Sequence, residues 1–120
     1  EYWIGAMVFT PDAKMLITGS RDNTIRFFEM PTMNELRVVR GHNGWVRSLV
    51  VSPDGQVLIS AGDDHTIRFW DIATGRNFRT DKTHGGPVRG IALSPDGLRL
   101  ASASWDRTVK LWEGGVEPAD

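Results

Sequence analysis

The sequence predicts an all-β fold assembled from three similar units. The first observation is a 42-residue period carried by three turn motifs: Thr10-Pro11-Asp12, Ser52-Pro53-Asp54 and Ser94-Pro95-Asp96. The second is that no segment has apolar residues at the spacing of about 3.6 residues that a helix requires. Periods of this length are typical of arrays in which one unit buries its hydrophobic surface only against its neighbours.

The period extends through most of each unit. The segments Gly41–Asp71 and Thr83–Glu113 are identical at 14 of 31 aligned positions. The recurring residues are an acidic, a hydroxyl and an aromatic set: Asp22, Asp64 and Asp106; Thr24, Thr66 and Thr108; Phe28, Trp70 and Trp112. We therefore divide the chain into units of about residues 1–40, 41–82 and 83–113, followed by a polar tail at 114–120.

The second unit begins with an inner strand and a tight turn. Trp45–Val51 carries Val or Leu on both faces, as expected for a strand that lies between neighbouring sheets. Ser52-Pro53-Asp54-Gly55 is typical of a type I turn, because Pro presets φ at the second position and Gly suits the fourth. A second strand, Val57–Ala61, follows.

Two further strands complete the unit. Gly62-Asp63-Asp64-His65 turns into the strand Thr66–Trp70, and a second turn leads to a more polar outer strand at Arg76–Thr80. Four short antiparallel strands with polarity rising outward are typical of a β-propeller blade. The third unit ends soon after Trp112, so its blade is expected to lack the outer strand. The fold class is thus a propeller segment of about three four-stranded blades.

The composition narrows the class of protein. Apolar residues at 40% and charged residues at 24% indicate a soluble globular chain. The net charge of −1 argues against a general nucleic-acid surface, which needs a basic surplus. There is no cysteine, which excludes disulfides and thiolate metal sites. With no apolar run of about 18 residues and no targeting signal, we expect no membrane contact and a cytoplasmic location.

Gly41-His42 opens the second unit, and Trp70-Asp71 closes its third strand. Together with the turn motifs and the 42-residue period, these pairs make the chain resemble the WD-repeat β-propeller family over roughly residues 2–113. The resemblance implies that a His, a hydroxyl, an Asp and a Trp form a hydrogen-bonded network inside each blade. The matching positions are His42, Ser60, Asp64 and Trp70, and then His84, Ser102, Asp106 and Trp112.

The first unit departs from this pattern. Phe28 stands where the other units have Trp, and it has no N–H to donate. Thr18 and Asp22 remain, but the full network cannot form. Ala13 also replaces the turn glycine. We expect this blade to depend on packing alone and to be the loosest of the three.

The trio Ser60, His42 and Asp64 also contains the residue types of a hydrolase triad. The same trio recurs 42 residues later, and an enzyme does not normally repeat its nucleophile in every unit. A nucleophilic Ser needs an exposed hydroxyl and an oxyanion hole. The third histidine, His65, is expected in an exposed turn, so the three His give no zinc site. We predict a non-enzyme with no metal and no cofactor.

In propellers, function is carried by the loops at one mouth of the central axis. The resemblance implies partner contacts from the start of each inner strand and from the residue before each turn Asp. These positions are Trp3, Gly5, Trp45, Arg47, Pro87 and Arg89, and then Arg21, Asp63 and Trp105. Trp and Arg are enriched in binding hot spots. The alternative is that the Trp rings pack over the neighbouring blade or the axis.

Arginine outnumbers lysine 11 to 3 in the chain. The planar guanidinium pairs with carboxylate or phosphate, so Arg21, Arg47 and Arg89 around one mouth favour an acidic or phosphorylated peptide. Ordinary solvated surface arginine is the alternative. Single-stranded nucleic acid could stack on Trp, but the nearly neutral net charge disfavours it.

Three blades fall short of the roughly four to eight that close a propeller, and would leave two apolar flanks and a strand edge uncovered. Either the chain is part of a longer propeller, as a start at Glu1 without Met favours, or several copies form a closed ring. We predict a non-catalytic scaffold that binds a protein or peptide partner through the mouth. The alternatives are recognition of an anionic ligand (phosphopeptide or nucleic acid) by the Arg/Trp surface, and a structural self-assembly unit.

Overall fold

The protein is described by a computed structural model, which covers residues 3–82 and 84–113. These residues form 11 strands in three antiparallel sheets, and they contain no helix. The all-β prediction is therefore confirmed, and the chain is three blades of a partial β-propeller. Since the described residues contain no helix at all, none of them is in a helix able to cross a bilayer.

Each blade contains strands that are consecutive in the chain. The first blade has β1 (Ile4–Phe9), β2 (Met15–Ser20), β3 (Thr24–Glu29) and β4 (Asn34–Arg40). The second has β5 (Val46–Val51), β6 (Val57–Gly62), β7 (Ile67–Asp71) and β8 (Asn77–Asp81), and the third has β9 (Val88–Leu93), β10 (Arg99–Ser104) and β11 (Val109–Glu113). In each sheet, strands that are consecutive in the chain pair with each other. The third blade has three strands within residues 84–113, as predicted. The predicted polar tail at 114–120 lies outside the described residues.

The turn between the first two strands of each blade follows the sequence motif. In the second blade, Gly55 N–H donates to Ser52 O at 2.9 Å and Val57 N–H donates to Ser52 Oγ at 3.0 Å. Gly55 has a φ of +74°, a left-handed value that glycine adopts without steric cost. Ala13 is at the matching position in the first blade with a φ of +60°, where its Cβ is unfavourable.

The inner strands of the three blades lie side by side. β5 lies between β1 and β9, and Ile91 N–H donates across to Ser48 Oγ at 3.2 Å. The approach of the first two blades is close enough to require a glycine. A Cβ at Gly19 would lie 2.4 Å from Cγ1 of Val46. A glycine at position 19 is therefore a steric requirement of the packing between the first two blades.

The hydrophobic core lies between blades. The interface of the first two blades buries Ile17, Ile25, Phe27, Val46, Leu49, Leu58, Trp70 and Ile72. The interface of the second and third blades buries Val57, Ile59, Ala61, Ile67, Phe69, Val88 and Leu100. The second blade is thus covered on both faces, as its doubly apolar inner strand indicated.

The two outer flanks of the array carry residues of the same type, but exposed. Val109 and Leu111 on β11 are 75% and 63% exposed, whereas Ile67 and Phe69 at the same repeat positions are buried. The opposite flank exposes Ile4, Met7 and Phe9 on β1. Each end of the array therefore presents a surface that is an interface elsewhere in the same chain.

Candidate functional site

The second blade contains a continuous chain of side-chain hydrogen bonds. Trp70 Nε1–H donates to Ser60 Oγ at 2.8 Å, and Ser60 Oγ lies 2.7 Å from His42 Nε2. His42 Nδ1 lies 3.0 Å from Asp64 Oδ2. The four residues come from β7, β6, the segment before β5 and the β6–β7 turn, so the network joins the two middle strands of the blade to the segment that enters its inner strand.

The hydrogen-bonding capacity of each group gives the network a direction. Indole N–H only donates and a carboxylate only accepts. His42 Nδ1–H therefore donates to Asp64, which leaves Nε2 to accept the Ser60 hydroxyl proton. The Ser60 oxygen in turn accepts from Trp70. Each of these buried polar groups has its partner, which is the condition for such a network to stabilise a fold.

Asp64 is held as a carboxylate by its donors. Burial alone would raise the pKa of the Asp64 carboxyl, but hydrogen bonds from His42, Asn43 N–H and Thr66 outweigh it and hold this pKa well below the ordinary 3.8. Thr66 Oγ1 donates to Asp64 Oδ1 at 2.8 Å, and Asn43 N–H donates to Oδ2 at 3.0 Å. The carboxylate thus fixes the backbone at the start of the blade.

The third blade repeats this arrangement with a looser outer bond. His84 Nε2 lies 2.7 Å from Ser102 Oγ, and Trp112 Nε1–H donates to that oxygen at 3.3 Å. His84 Nδ1 lies 3.1 Å from Asp106 Oδ2. The hydrogen bond from Thr108 is the largest of the contributions that hold the pKa of Asp106 well below 3.8. Trp112 is only half-buried, because its blade is covered on one side.

The first blade lacks the full network, as predicted, but it does not depend on packing alone. Thr18 Oγ1, at the Ser60 position, is buried with no hydrogen-bond partner among the described residues. Asp22 instead accepts hydrogen bonds from Ser20, Thr24 and Arg26. Burial raises the pKa of Asp22, but these donors together lower it to about 2. The expectation of packing alone is therefore wrong, because three nearby side chains donate hydrogen bonds to Asp22.

The network has the Ser-His-Asp hydrogen-bonding order of a hydrolase triad, but its serine is not accessible to a substrate. Ser60 is fully buried, and its oxygen is occupied by Trp70 and His42. No substrate carbonyl can reach this hydroxyl, so it is not an activated nucleophile. His65 is exposed in its turn with a φ of +70°. Within residues 3–82 and 84–113, no group of three His, Asp or Glu side chains could hold a metal ion.

A cavity of about 450 Å³ lies at the opposite end of the blades from the inner-strand starts. It is formed between the first two blades by their β1–β2 and β5–β6 turns, including Pro11, Asp12 and Pro53. Asp12 is engaged within its own turn, because it accepts from Thr10 Oγ1 at 2.7 Å and from Lys14 N–H at 2.9 Å. This cavity therefore brings together turn residues rather than a catalytic set.

The other end carries the predicted partner-binding residues, which we call the mouth surface: Trp3, Arg21, Trp45, Arg47, Asp63, Arg89 and Trp105. One backbone hydrogen bond recurs there in every blade: Arg21 N–H to Trp3 O at 2.9 Å, Asp63 N–H to Trp45 O at 2.9 Å, and Trp105 N–H to Pro87 O at 3.0 Å. Each bond holds the residue after the second strand beside the start of the inner strand. The predicted positions at the start of each inner strand therefore lie beside the predicted position before each turn Asp.

Arginine and tryptophan alternate across the first two blades. The Arg21 guanidinium carbon lies 4.1 Å from the Trp3 ring centroid and 3.5 Å from that of Trp45. Arg47 lies 4.3 Å from the Trp45 ring and pairs with Asp63 through two bonds of 2.9 and 3.0 Å. Cation–π contacts of this kind hold rings in place at the surface. Trp45 thus packs under Arg21 of the neighbouring blade, as the packing alternative supposed.

The third blade differs at the same positions. Its Arg89 guanidinium carbon lies 4.2 Å from the Trp105 ring centroid, and no carboxylate pairs with it in the described residues. Trp105 is 67% exposed and Trp3 is 64% exposed, whereas Trp45 is half-buried. Among the five tryptophans, the two with exposed rings are therefore at the mouth surface.

Sequence reasoning missed several members of these sites. Thr66 and Thr108 donate to the network carboxylates, and Ser20 and Arg26 satisfy Asp22. The signal for the threonines was available, since Thr24, Thr66 and Thr108 recur at the 42-residue period two residues after each Asp. The pairing of Arg21 with two rings from different blades had no such signal, because it crosses a blade interface.

Comparisons with known proteins agree with this geometry. Residues 1–29, 33–71 and 75–113 match the family model described as WD domain, G-beta repeat. The chain is similar to a solved structure described as the crystal structure of RRP9 WD40 repeats, with a TM-score of 0.90 and 27% sequence identity over 94% of this chain. It spans 36% of that chain's length. Members of this family generally act as scaffolds for protein–protein interaction. The chain belongs to the WD40 repeat family.

Proposed function

We propose that this chain is a non-catalytic scaffold that binds a protein or peptide partner through the mouth surface. The observation that carries the proposal is the exposure of Trp3 and Trp105, at 64% and 67%, on a surface where backbone hydrogen bonds and arginines hold the loops. The buried serines of the networks leave no reactive hydroxyl for catalysis.

Exposed indole rings supply binding energy when a partner covers them. Burying a large apolar side chain contributes about 2 kcal/mol, and Trp and Arg dominate the hot spots of protein interfaces. Arg21 lies against Trp3, and Arg89 lies against Trp105, so neither ring needs to be ordered on binding. A preorganised surface avoids part of the entropy cost of association.

A peptide library displayed on phage and selected on the immobilised chain tests the proposal. We expect selected peptides to bind the original chain and to lose at least about tenfold in affinity for the double variant Trp3→Ala/Trp105→Ala. The matched control is Met33→Ala/Leu36→Ala, which removes two exposed apolar side chains at the outer edge of the first blade. Peptides that bind both double variants equally well would contradict the mouth surface as the binding site.

A second candidate function is structural assembly through the flanks. The flank of the third blade exposes Val109 and Leu111, and the flank of the first exposes Met7 and Phe9. The equivalent residues pack into the hydrophobic core wherever two blades meet inside the chain. Exposed contiguous apolar surface of this kind marks an interaction site. We propose that further blades cover both flanks, supplied by a longer chain or by other copies of this one.

The mass of the chain in solution, measured by light scattering after size-exclusion chromatography, tests self-assembly. We expect a discrete dimer or trimer that dissociates in the variant Leu111→Lys, because the new charge would be buried at the interface. Val109→Ala, which keeps the flank apolar, is the control. A folded monomer at all concentrations would exclude self-assembly and leave the longer chain as the source of the covering blades.

A further inference from the structure

We infer that Arg89 and Trp105 form a carboxylate-binding subsite, which takes the side chain of an Asp or Glu residue of the bound partner. The inference rests on the proposed function, since it names the chemistry that one part of the mouth surface recognises. Its basis is a difference between two blades that are otherwise closely similar in sequence.

The second blade shows how this blade position binds a carboxylate. Arg47 donates from Nε and Nη2 to the two oxygens of Asp63, at 2.9 and 3.0 Å. Such two-point pairs between a guanidinium and a carboxylate are among the strongest hydrogen-bonded contacts in proteins. The pair forms because the backbone bond from Asp63 N–H to Trp45 O holds Asp63 beside the start of the inner strand.

The third blade keeps the arginine and loses the carboxylate. Arg89 is at the Arg47 position, and Trp105 is at the Asp63 position, held by the same backbone bond to Pro87 O. Nη1 of Arg89 is buried and has no hydrogen-bond partner among the described residues. Asp63 pairs with Nε and Nη2 of Arg47, and Arg89 makes no hydrogen bond or ion pair through these atoms among the described residues, so a partner's carboxylate would take the place that Asp63 has in the second blade.

The arrangement also favours a carboxylate carried by a peptide. A partner Asp or Glu would pair with the guanidinium as Asp63 pairs with Arg47, while its methylene groups pack on the exposed Trp105 ring. Arg21 is different, because its guanidinium lies between the rings of Trp3 and Trp45. The chain as a whole has a net charge of −1, so no broad basic surface supports recognition of a nucleic acid backbone.

Titration of the chain with a minimal ligand tests the subsite directly. The probe is the tripeptide Gly-Glu-Gly, acetylated and amidated at its ends, followed by NMR of the Arg89 Nε–H and Trp105 Nε1–H resonances. We expect saturable shifts of both signals. The matched peptide Gly-Gln-Gly should bind at least about tenfold more weakly, because it lacks the charge-assisted hydrogen bonds.

Two reciprocal variants exchange Asp and Trp between equivalent positions of the second and third blades. Trp105→Asp supplies an internal carboxylate to Arg89, so it should abolish the shifts of the Arg89 signal caused by the Glu peptide. Asp63→Trp removes the internal partner of Arg47, so the same peptide should now shift the Arg47 Nε–H signal. The variant Trp105→Asn removes the ring without adding a charge, and it should retain measurable binding of the Glu peptide. This result would show that the loss in Trp105→Asp comes from pairing of Arg89 with the new carboxylate and not from loss of the ring.

The inference is overturned if the Glu and Gln peptides bind equally, or if Trp105→Asp still binds the Glu peptide as the original chain does. Should a variant fail to fold, the peptide comparison on the original chain decides alone. If library peptides bind the mouth surface but the Glu tripeptide does not, the proposed function stands and the subsite is wrong. If the tripeptide binds and no library peptide does, the subsite stands and partner binding through the mouth surface is wrong.

Discussion

Trp70 and Ser60 are joined by a hydrogen bond in which the indole Nε1–H donates to the serine oxygen at 2.8 Å. Both residues are almost completely buried, and the Trp70 ring packs in the interface with the first blade. The same side chain therefore satisfies the polar network of one blade and fills the apolar contact with the next. This double role links the polar network of the second blade to its contact with the first blade.

Ser60→Ala should destabilise the chain by about 3 kcal/mol, because Trp70 Nε1 and His42 Nε2 would both lose their partner and each orphaned group costs about 1–3 kcal/mol. Urea unfolding measures the change. Ser102→Ala is the control, and it should cost less because Trp112 is half-exposed and its bond is already 3.3 Å long. An equal effect of the two variants would contradict the link between burial and network strength.

Thr18→Val should stabilise the chain by about 1 kcal/mol or more. The Thr18 hydroxyl is buried with no partner among the described residues, and valine has the same shape without the polar atom. Thermal unfolding midpoints measure the change. Thr10→Val is the control, because Thr10 Oγ1 already donates a hydrogen bond to Asp12. Loss of stability in Thr18→Val would show that the hydroxyl has an acceptor.

Ala13→Gly should also increase the free energy of unfolding, by about 1 kcal/mol, because Ala13 has a φ of +60° where a Cβ is disfavoured. Gly55→Ala tests the same position in the second blade, where φ is +74°, and should lower stability by a similar amount. The flexibility that glycine adds to the unfolded chain works against the gain. If Ala13→Gly instead lowered stability and Gly55→Ala raised it, this entropy term would outweigh backbone strain.

Gly19→Ala should weaken the interface of the first two blades by about 1–3 kcal/mol, because the added Cβ would lie 2.4 Å from Cγ1 of Val46. Gly90→Ala is the matched control in the inner strand of the third blade, where no heavy atom lies within 4 Å of the new Cβ. Denaturant unfolding should find this control neutral or slightly stabilising. A neutral result for Gly19→Ala would contradict the close packing of the blades.

The chain should lose stability as pH falls below about 4. Asp22 has a pKa of about 2 in the folded chain, and the pKa values of Asp64 and Asp106 are also well below the ordinary 3.8. A folded pKa below the unfolded value contributes stability that is complete above pH 3.8 and is lost as pH falls toward the folded pKa. Equilibrium unfolding measured from pH 7 to pH 2 gives this profile.

The variant Asp64→Asn identifies the share of that profile that comes from one carboxylate. The variant should be less stable than the original chain at neutral pH, and the difference should shrink as pH falls below 3.8, because the Asp64 carboxyl is then protonated in the unfolded chain before it is protonated in the folded chain. The difference should stay constant between pH 7 and pH 5. A difference that does not change down to pH 2 would contradict the lowered pKa of Asp64.

The positions of the strands could be predicted from the sequence because they depend on local sterics and on repetition, and the network residues followed from the resemblance to the WD-repeat family. Pro11, Pro53 and Pro95 mark turns whose geometry is set by φ, and the period carries each turn to the next blade. The residue types His, Ser, Asp and Trp have complementary hydrogen-bonding groups that recur together. The hydrogen bonds to Asp22 were not predicted, because the expectation of packing alone considered the network residues and not the hydroxyl and guanidinium groups two to four residues away.

By itself, the sequence determined that this protein is a set of repeated antiparallel sheets that need each other's surfaces, and its resemblance to the WD-repeat family implied that Arg and Trp lie at one end of them. Only the tertiary structure decided which of these side chains satisfy one another: Arg21 lies between two rings, Arg47 is paired with Asp63, and Nη1 of Arg89 has no partner in the described residues. The physical reason is that turns and strand periods arise from neighbours in the chain. Hydrogen bonds and ring contacts between blades depend on distances of a few ångströms, which the packing of whole sheets sets.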